Sequence, residues 1–365
     1  MTDLDLKVTR KGRGALTNRE GRFEKAQSQA FDDGWGTLED HLAELPPIKT
    51  TVSEDATRSI VTRNQSPDIP FEQSINPYRG CEHGCIYCYA RPTHAYWGLS
   101  PGLDFETRLF KKTNAAELLE KELRRKSYEP KPITVGANTD PYQPVEREHR
   151  VTREVLTVLS RFQHPVALIT KSALVLRDLD LLAPMAEKGL AQVFVSVTTL
   201  RPELARIMEP RAAAPHRRLE TLRALSEAGI PTGVMSAPMI PALNDHELEA
   251  ILTAGAEAGA AYGGYVFLRL PLELRELFRE WLETHFPDRA EHVMSLIKQS
   301  RGGKEYQAEF GKRMRGTGHF AHLLSQRFRL VAQKLNLNKS RNKLRTDLFK
   351  PPPRAGDQLS LFEEP

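Results

Sequence analysis

The sequence predicts an α/β fold: a partial (β/α)6 TIM-like barrel with a polar N-terminal extension, a C-terminal helix and a disordered tail. Three observations predict it. From about residue 70, short runs rich in β-branched residues alternate with longer amphipathic patterns, the rhythm of helices packed on a parallel sheet. Gly189 and Gly229 stand where helix C-caps precede a strand. Every cysteine of the 365-residue chain lies in Cys81-Glu82-His83-Gly84-Cys85-Ile86-Tyr87-Cys88, directly after the first run.

The elements follow in order. Residues 1–60 are polar, with Gly12, Gly14 and Gly21 among Arg and Lys, and read as an extension with little core of its own. The barrel spans 61–318. Its six candidate strands are Ser74–Tyr78, Ile133–Asn138, Val166–Lys171, Val193–Thr198, Thr232–Ala237 and Tyr265–Leu270. Between them, Leu219, Leu222 and Leu225 line a helical face, and Asn244-Asp245-His246-Glu247 gives another helix a capped start. Residues 319–336 carry Phe320, Leu323, Leu324, Phe328, Val331 and Leu335 at helical spacing. From 337 to 365 the pattern dissolves into Asn, Lys, Arg and Pro351-Pro352-Pro353, a disordered basic tail. In barrels of this kind chemistry gathers at the C-terminal ends of the strands.

The first residues, Met1-Thr2-Asp3-Leu4-Asp5, do not form a secretory signal, and no apolar run approaches the ~20 residues that span a bilayer. With no cysteine outside the loop, a disulfide framework is excluded and a reducing cytoplasmic compartment is expected. Charge is uneven. Lys298 to Lys350 holds fourteen Lys and Arg against three acidic residues, +11, so the rest of the chain is at −6 for a net +5. Such a block is the footprint of a polyanion, nucleic acid first, or else a solvated basic face.

Three thiolates on one short loop suit a [4Fe–4S] cube with three irons tied to protein and the fourth left open. A zinc site with His83 or His94 as fourth ligand is the alternative. Polar groups mark the strand ends: Asn138-Thr139-Asp140-Pro141-Tyr142, Lys171 and Ser196-Val197-Thr198. Ser196 and Thr198 also read as simple strand formers, and Asp140 as a helix cap. A buried Lys171 needs an anion.

The Cys-x3-Cys-x2-Cys loop with Tyr87 before its last cysteine resembles the radical S-adenosylmethionine enzymes. Asn138–Pro144, Ile169–Ser172, Ser196–Thr199, Glu209-Pro210-Arg211 and Ala237–Pro241 extend the resemblance to the bacterial group related to spore photoproduct lyase, over about 70–275. The resemblance implies Cys81, Cys85 and Cys88 as cluster ligands, with S-adenosylmethionine chelating the fourth iron. It implies Tyr87, Asn138, Thr139, Asp140, Lys171, Ser196 and Thr198 as cofactor-binding, a DNA lesion as substrate, and flavodoxin or ferredoxin as electron donor. The spore lyase carries a hydrogen-donating cysteine where this chain has Ala137. Lys171 and Tyr142 are the candidate catalytic side chains, with Tyr89 or Tyr96 as alternative hydrogen donors.

Gln358-Leu359-Ser360-Leu361-Phe362 resembles the peptide that docks repair factors and polymerases on the DNA polymerase III sliding clamp. Gln358, Leu359, Leu361 and Phe362 would be its anchors on a flexible tether. Two other functions fit these residues: radical chemistry on RNA or protein, and a metal-bearing clamp adaptor without turnover.

Overall fold

Parallel strands buried on both faces read as unbroken apolar runs, and the six runs become six neighbouring strands. The computed structural model describes residues 9–24, 48–339 and 343–353. In chain order its strands are β1 (Thr51–Glu54), β2 (Thr62–Arg63), β3 (Gln73–Ile75), β4 (Tyr78–Arg79), β5 (Arg108–Lys111), β6 (Ile133–Val135), β7 (Val166–Thr170), β8 (Ala191–Ser196), β9 (Thr232–Met239) and β10 (Tyr262–Phe267). The main sheet has the order β10-β9-β8-β7-β6-β3-β2. From β3 to β10 every neighbour is parallel, and β2 alone pairs antiparallel. β2 and β10 are the two edges, so the barrel stays open.

Helices α1 (Ala115–Leu123), α2 (Val151–Arg161), α3 (Leu179–Glu187), α4 (Pro215–Glu227) and α5 (Leu248–Glu257) join these strands. Their apolar faces, with Leu119, Leu156, Leu182, Leu222 and Ile251, share one core with the strands' Val135, Leu168, Val193 and Val234. After β10 come α6 (Leu274–His285), α7 (Ala290–Gln299) and α8 (Gly318–Lys334). A second core unites α6 and α7 with Cys85, Ile86 and Tyr87, so the cysteine loop is packed from beneath. No helix among the described residues is long and apolar enough to cross a membrane.

Four differences from the sequence reading have physical reasons. The first run is broken at Asn76-Pro77, and Tyr78–Arg79 leaves for a second sheet of order β1-β5-β4. The last strand begins three residues early because Gly263 and Gly264 serve close approach, not a turn. A Cβ would lie 2.9 Å from Leu337 at the first and 2.7 Å from the Met235 sulfur at the second. The N-terminal extension has little core of its own but enters the protein's: Ala15, Leu16 and Thr17 are buried. The basic tail is ordered as far as it is described. Leu348 and Phe349 pack on the main core, and Arg345 N and Lys350 N donate to Gly189 O and Phe162 O, just before β8 and β7. Gln358, Leu359, Leu361 and Phe362 lie outside the described residues.

His164, where α2 turns into β7, illustrates the energetics of this end of the sheet. Its Nε2 lies 2.7 Å from the Tyr128 hydroxyl, and burial lowers its pKa from 6.5 to about 4. Between those values the unfolded chain binds a proton that the folded chain refuses. Stability present at neutral pH therefore falls as pH drops from 6.5 toward 4, by up to about 3 kcal/mol. His164→Gln should flatten that slope in denaturant titrations across this range. An unchanged slope would assign the acid sensitivity elsewhere.

Candidate active site at the cysteine loop

The loop follows β4, a few residues past the end of β3, and is tied down through its backbone. Cys81 N donates to Phe105 O at 2.9 Å, Ile86 N to Met208 O at 3.0 Å, and Arg211 N to His83 O at 3.2 Å. Glu82 N donates to Gln143 Oε1 at 2.8 Å. The fully buried Arg91 takes Cys85 O at 2.8 Å and Gly84 O at 3.1 Å, then pairs with Glu106. Gly84 has φ +68°, and a Cβ there would lie 2.8 Å from Glu106 Oε2. Only glycine suits this bend.

Cys81 and Cys85 are 7% exposed, and Cys88 is half-buried. Burial pushes the Cys81 thiol well up and the Cys85 thiol up to about 12. Thiols so placed ionise only against a cation. Among the described residues no three His, Cys, Asp or Glu side chains converge on a single ion. His83 Nδ1 lies 3.4 Å from Asp140 Oδ2, and His94 Nε2 lies 3.0 Å from Arg108 O. Both histidines are thus engaged by other partners. Three thiols with no fourth protein ligand fit an open-iron cube better than tetrahedral zinc.

The polar strand ends divide into two sets. After β6, Thr139 donates its hydroxyl to Tyr78 O at 2.8 Å. Asp140 accepts from Thr170 Oγ1 and Lys171 N, each at 2.7 Å, and from Tyr142 N at 2.9 Å. Burial would raise the Asp140 pKa, but His83 and these donors outweigh it and hold it at about 2. These two side chains brace the β6 and β7 ends against the cysteine loop, while Asn138 is left exposed.

The second set surrounds Tyr87. Its hydroxyl donates to Glu209 and lies 3.2 Å from Thr198 Oγ1. The other Glu209 oxygen is 2.5 Å from Arg218 Nη2, a charge pair outside good hydrogen-bond angles. Arg218 also donates to Ser196 O at 3.1 Å. Lys171 Nζ stands 5.8 Å from the centre of the Tyr87 ring. Burial works against its charge, yet Cys85 and Glu209 leave its pKa raised. A cation kept charged beside the loop is suited to an anionic cofactor group.

The tyrosines separate clearly. Tyr142, expected as a catalytic side chain, is fully buried in the main core and gives its hydroxyl to Asp178 Oδ2 at 3.0 Å. Tyr96 is exposed and stacks on Phe23. Tyr89, next to Cys88, donates its hydroxyl to the carbonyl of Ala137, with the Arg269 guanidinium 4.1 Å from its ring centre. Sequence reasoning singled out Glu209 only within a motif of the resemblance, with no role, and missed Arg218, Arg91 and Glu106 as parts of the site. An interior Arg on an otherwise apolar helix face was the available signal for Arg218.

A parallel open barrel that presents three thiols after its first strand, with a charged lysine beside them and polar strand ends around them, fits an iron–sulfur enzyme with an open cluster. The family model of the Radical SAM superfamily matches residues 75–254. An uncharacterized protein of Mycobacterium tuberculosis is 38% identical over 234 residues, 63% of this chain and 68% of the relative. One of Methanocaldococcus jannaschii is 28% identical over 225 residues, 60% of this chain and 78% of its own. Among solved structures, a spore photoproduct lyase with bound AdoMet and dinucleoside spore photoproduct has TM-score 0.54, with 15% identity and 78% of each chain covered. The chain belongs to the radical SAM superfamily, whose enzymes use a [4Fe–4S] cluster and S-adenosylmethionine.

Proposed function

We propose that this radical S-adenosylmethionine enzyme acts in the cytoplasm on lesions in DNA, brought there by the replication sliding clamp. The observation that carries the reading is the course of the basic segment between α7 and α8. Phe267 N at the C-terminal end of β10 donates to Met314 O at 2.9 Å. Arg301 donates to Leu268 O at 2.5 Å, and to Lys312 O and Arg313 O at 2.9 Å each. The backbone of Lys312, Arg313 and Arg315 is thereby held at the C-terminal end of β10, beside Arg269, with Arg313 paired to Asp68, Lys312 to Glu309 and Arg315 stacked on Tyr265. A polyanion lying along them would reach the cysteine loop.

In this reading Cys81, Cys85 and Cys88 hold the cluster, and flavodoxin or ferredoxin delivers the electron. When bound, the cluster and S-adenosylmethionine supply a 5′-deoxyadenosyl radical. Lys171 would pair with the cofactor carboxylate, while Tyr87, Asn138, Thr139, Asp140, Ser196 and Thr198 would shape and orient its pocket. Tyr89, on the carbonyl of the residue that replaces the spore lyase's cysteine, would donate a hydrogen atom to the product radical, and the tyrosyl radical left behind would take an electron from the flavodoxin or ferredoxin and a proton from solvent. The tether to the clamp-like peptide at 358–362 starts away from the loop: Arg124 Nη1 donates to Pro352 O at 2.8 Å at the end of the strands opposite it.

The test is anaerobic. Reconstituted, dithionite-reduced protein receives S-adenosylmethionine with damaged DNA, undamaged DNA or RNA, each with and without loaded clamp, and 5′-deoxyadenosine is measured. Damaged DNA with clamp should give the highest yield. Equal stimulation by RNA, indifferent to clamp, would move the substrate to RNA. A loaded cluster that forms no deoxyadenosine would leave the adaptor reading. Tyr89→Phe should keep deoxyadenosine formation but lose repaired product, raising the ratio between them severalfold, whereas Tyr142→Phe should not.

A further inference from the structure

The strongest unexplained construction lies outside the stretch matched by the family model. Residues 13–17 pass across the outside of the cysteine loop, closer than any side chain would permit. A Cβ on Gly14 would sit 1.9 Å from Gly84 O and 3.4 Å from Ile86 N. Gly14 N and Ala15 N donate to the two oxygens of Glu106, at 3.0 and 2.8 Å. That carboxylate is the partner of Arg91, whose guanidinium also holds the carbonyls of Gly84 and Cys85. Arg13 adds a second route: Nη1 donates to Glu106 O at 3.0 Å and Nη2 to Thr50 Oγ1 at 2.9 Å. Thr50 in turn donates to Glu82 within the loop at 2.5 Å. Ala15 is fully buried, in one apolar cluster with Cys85, Ile86 and Tyr87.

A loop that presents three thiolates must hold their spacing before the cluster is present and while it changes oxidation state. Loop backbone has many accessible conformations, so fixing it requires contacts from outside. Here four carbonyl or amide groups of Gly84, Cys85, Gly14 and Ala15 converge on one buried Arg–Glu pair. Removing either side would leave a buried charge or a buried amide unsatisfied.

We propose that residues 13–17 are a strap that belongs to the cluster site, with Arg13 and Gly14 as positioning residues that hold the cysteine loop in its cluster-retaining shape. The inference rests on the chain's membership of the radical SAM superfamily and is independent of the substrate. Its measurements are iron and sulfide per chain, the decay of cluster absorbance in air, and the electron paramagnetic resonance spectrum of the reduced cluster before and after S-adenosylmethionine.

The variants are Gly14→Ala, Arg13→Gln and, as a control for lost stability alone, Leu324→Ala in the buried face of α8, away from the loop. Gly14→Ala and Arg13→Gln should load less iron and lose the cluster roughly ten-fold faster or more, the scale of supporting-residue effects at metal sites. Their spectra should respond differently to S-adenosylmethionine, while Leu324→Ala keeps wild-type lifetime and spectrum. If the strap variants retain the cluster as long as Leu324→Ala at equal loss of thermal stability, the strap is only packing and the proposal fails. Should Gly14→Ala not fold, Arg13→Gln alone decides, since it introduces no clash. Lesion turnover enters none of these readings, so a wrong substrate assignment leaves them intact.

Discussion

Cys85→Ala is expected to give a folded chain that retains little iron and forms 5′-deoxyadenosine at background level. The loop donates three thiols and no convergent histidine, so losing one leaves two protein ligands for a cube that needs three. The fold should survive, because the loop is held by its backbone to Phe105, Met208 and Arg211 and through the Arg91 guanidinium, not by its sulfurs. A truncated cysteine in that frame should cost about 1–2 kcal/mol at most. Cys81→Ala and Cys88→Ala should behave alike. The check is iron and sulfide per chain, the spectrum of the reduced cluster, and deoxyadenosine, with far-ultraviolet circular dichroism for the fold. Wild-type deoxyadenosine from any of the three would remove that residue from the cluster.

How far this protein can be read from its sequence depends on where each signal resides. β6, β7 and β8 are local signals: Ile133–Val135 is buried throughout, and such runs stand out without knowledge of neighbours. The six-unit rhythm and the end of the sheet that carries the loop follow from them. β1 is different. Thr51–Glu54 is exposed and polar, and it becomes a strand only by pairing with Arg108–Lys111 far along the chain. The strap is the extreme case. Arg13-Gly14-Ala15-Leu16-Thr17 reads as a polar loop, and its burial is decided by Glu106, over ninety residues away. Sequence could mark Asp140 and Thr139 as polar groups at a strand end. It could not say that their acceptors and donors are consumed by Tyr78, Thr170 and Lys171. Tyr142 shows the same limit, since one motif carries the exposed Asn138 and, four positions on, the buried Tyr142.

Glu209→Leu should be the most destabilising substitution near the site that touches no cysteine. Glu209 and Arg218 are both almost completely buried, and burial alone would lower the Arg218 pKa; Glu209 more than restores it. Taking away the carboxylate strands a guanidinium in the interior, a loss of about 3–5 kcal/mol in comparable buried pairs. Adding Arg218→Met to Glu209→Leu should return much of that stability, since an apolar pair of similar volume carries no uncompensated charge. Function should not return with it. The Tyr87 hydroxyl would have lost its acceptor, and Tyr87 immediately precedes Cys88 and lies beneath Lys171. Denaturant unfolding of the cluster-free chains gives the energies, and deoxyadenosine from the reconstituted ones gives the activity. A single-variant loss below about 1 kcal/mol, the value of an exposed pair, would show that the interior dielectric argument fails here. Recovery of activity together with stability in the double variant would reduce Glu209 to packing, and Tyr87 would need no fixed orientation to support the cofactor.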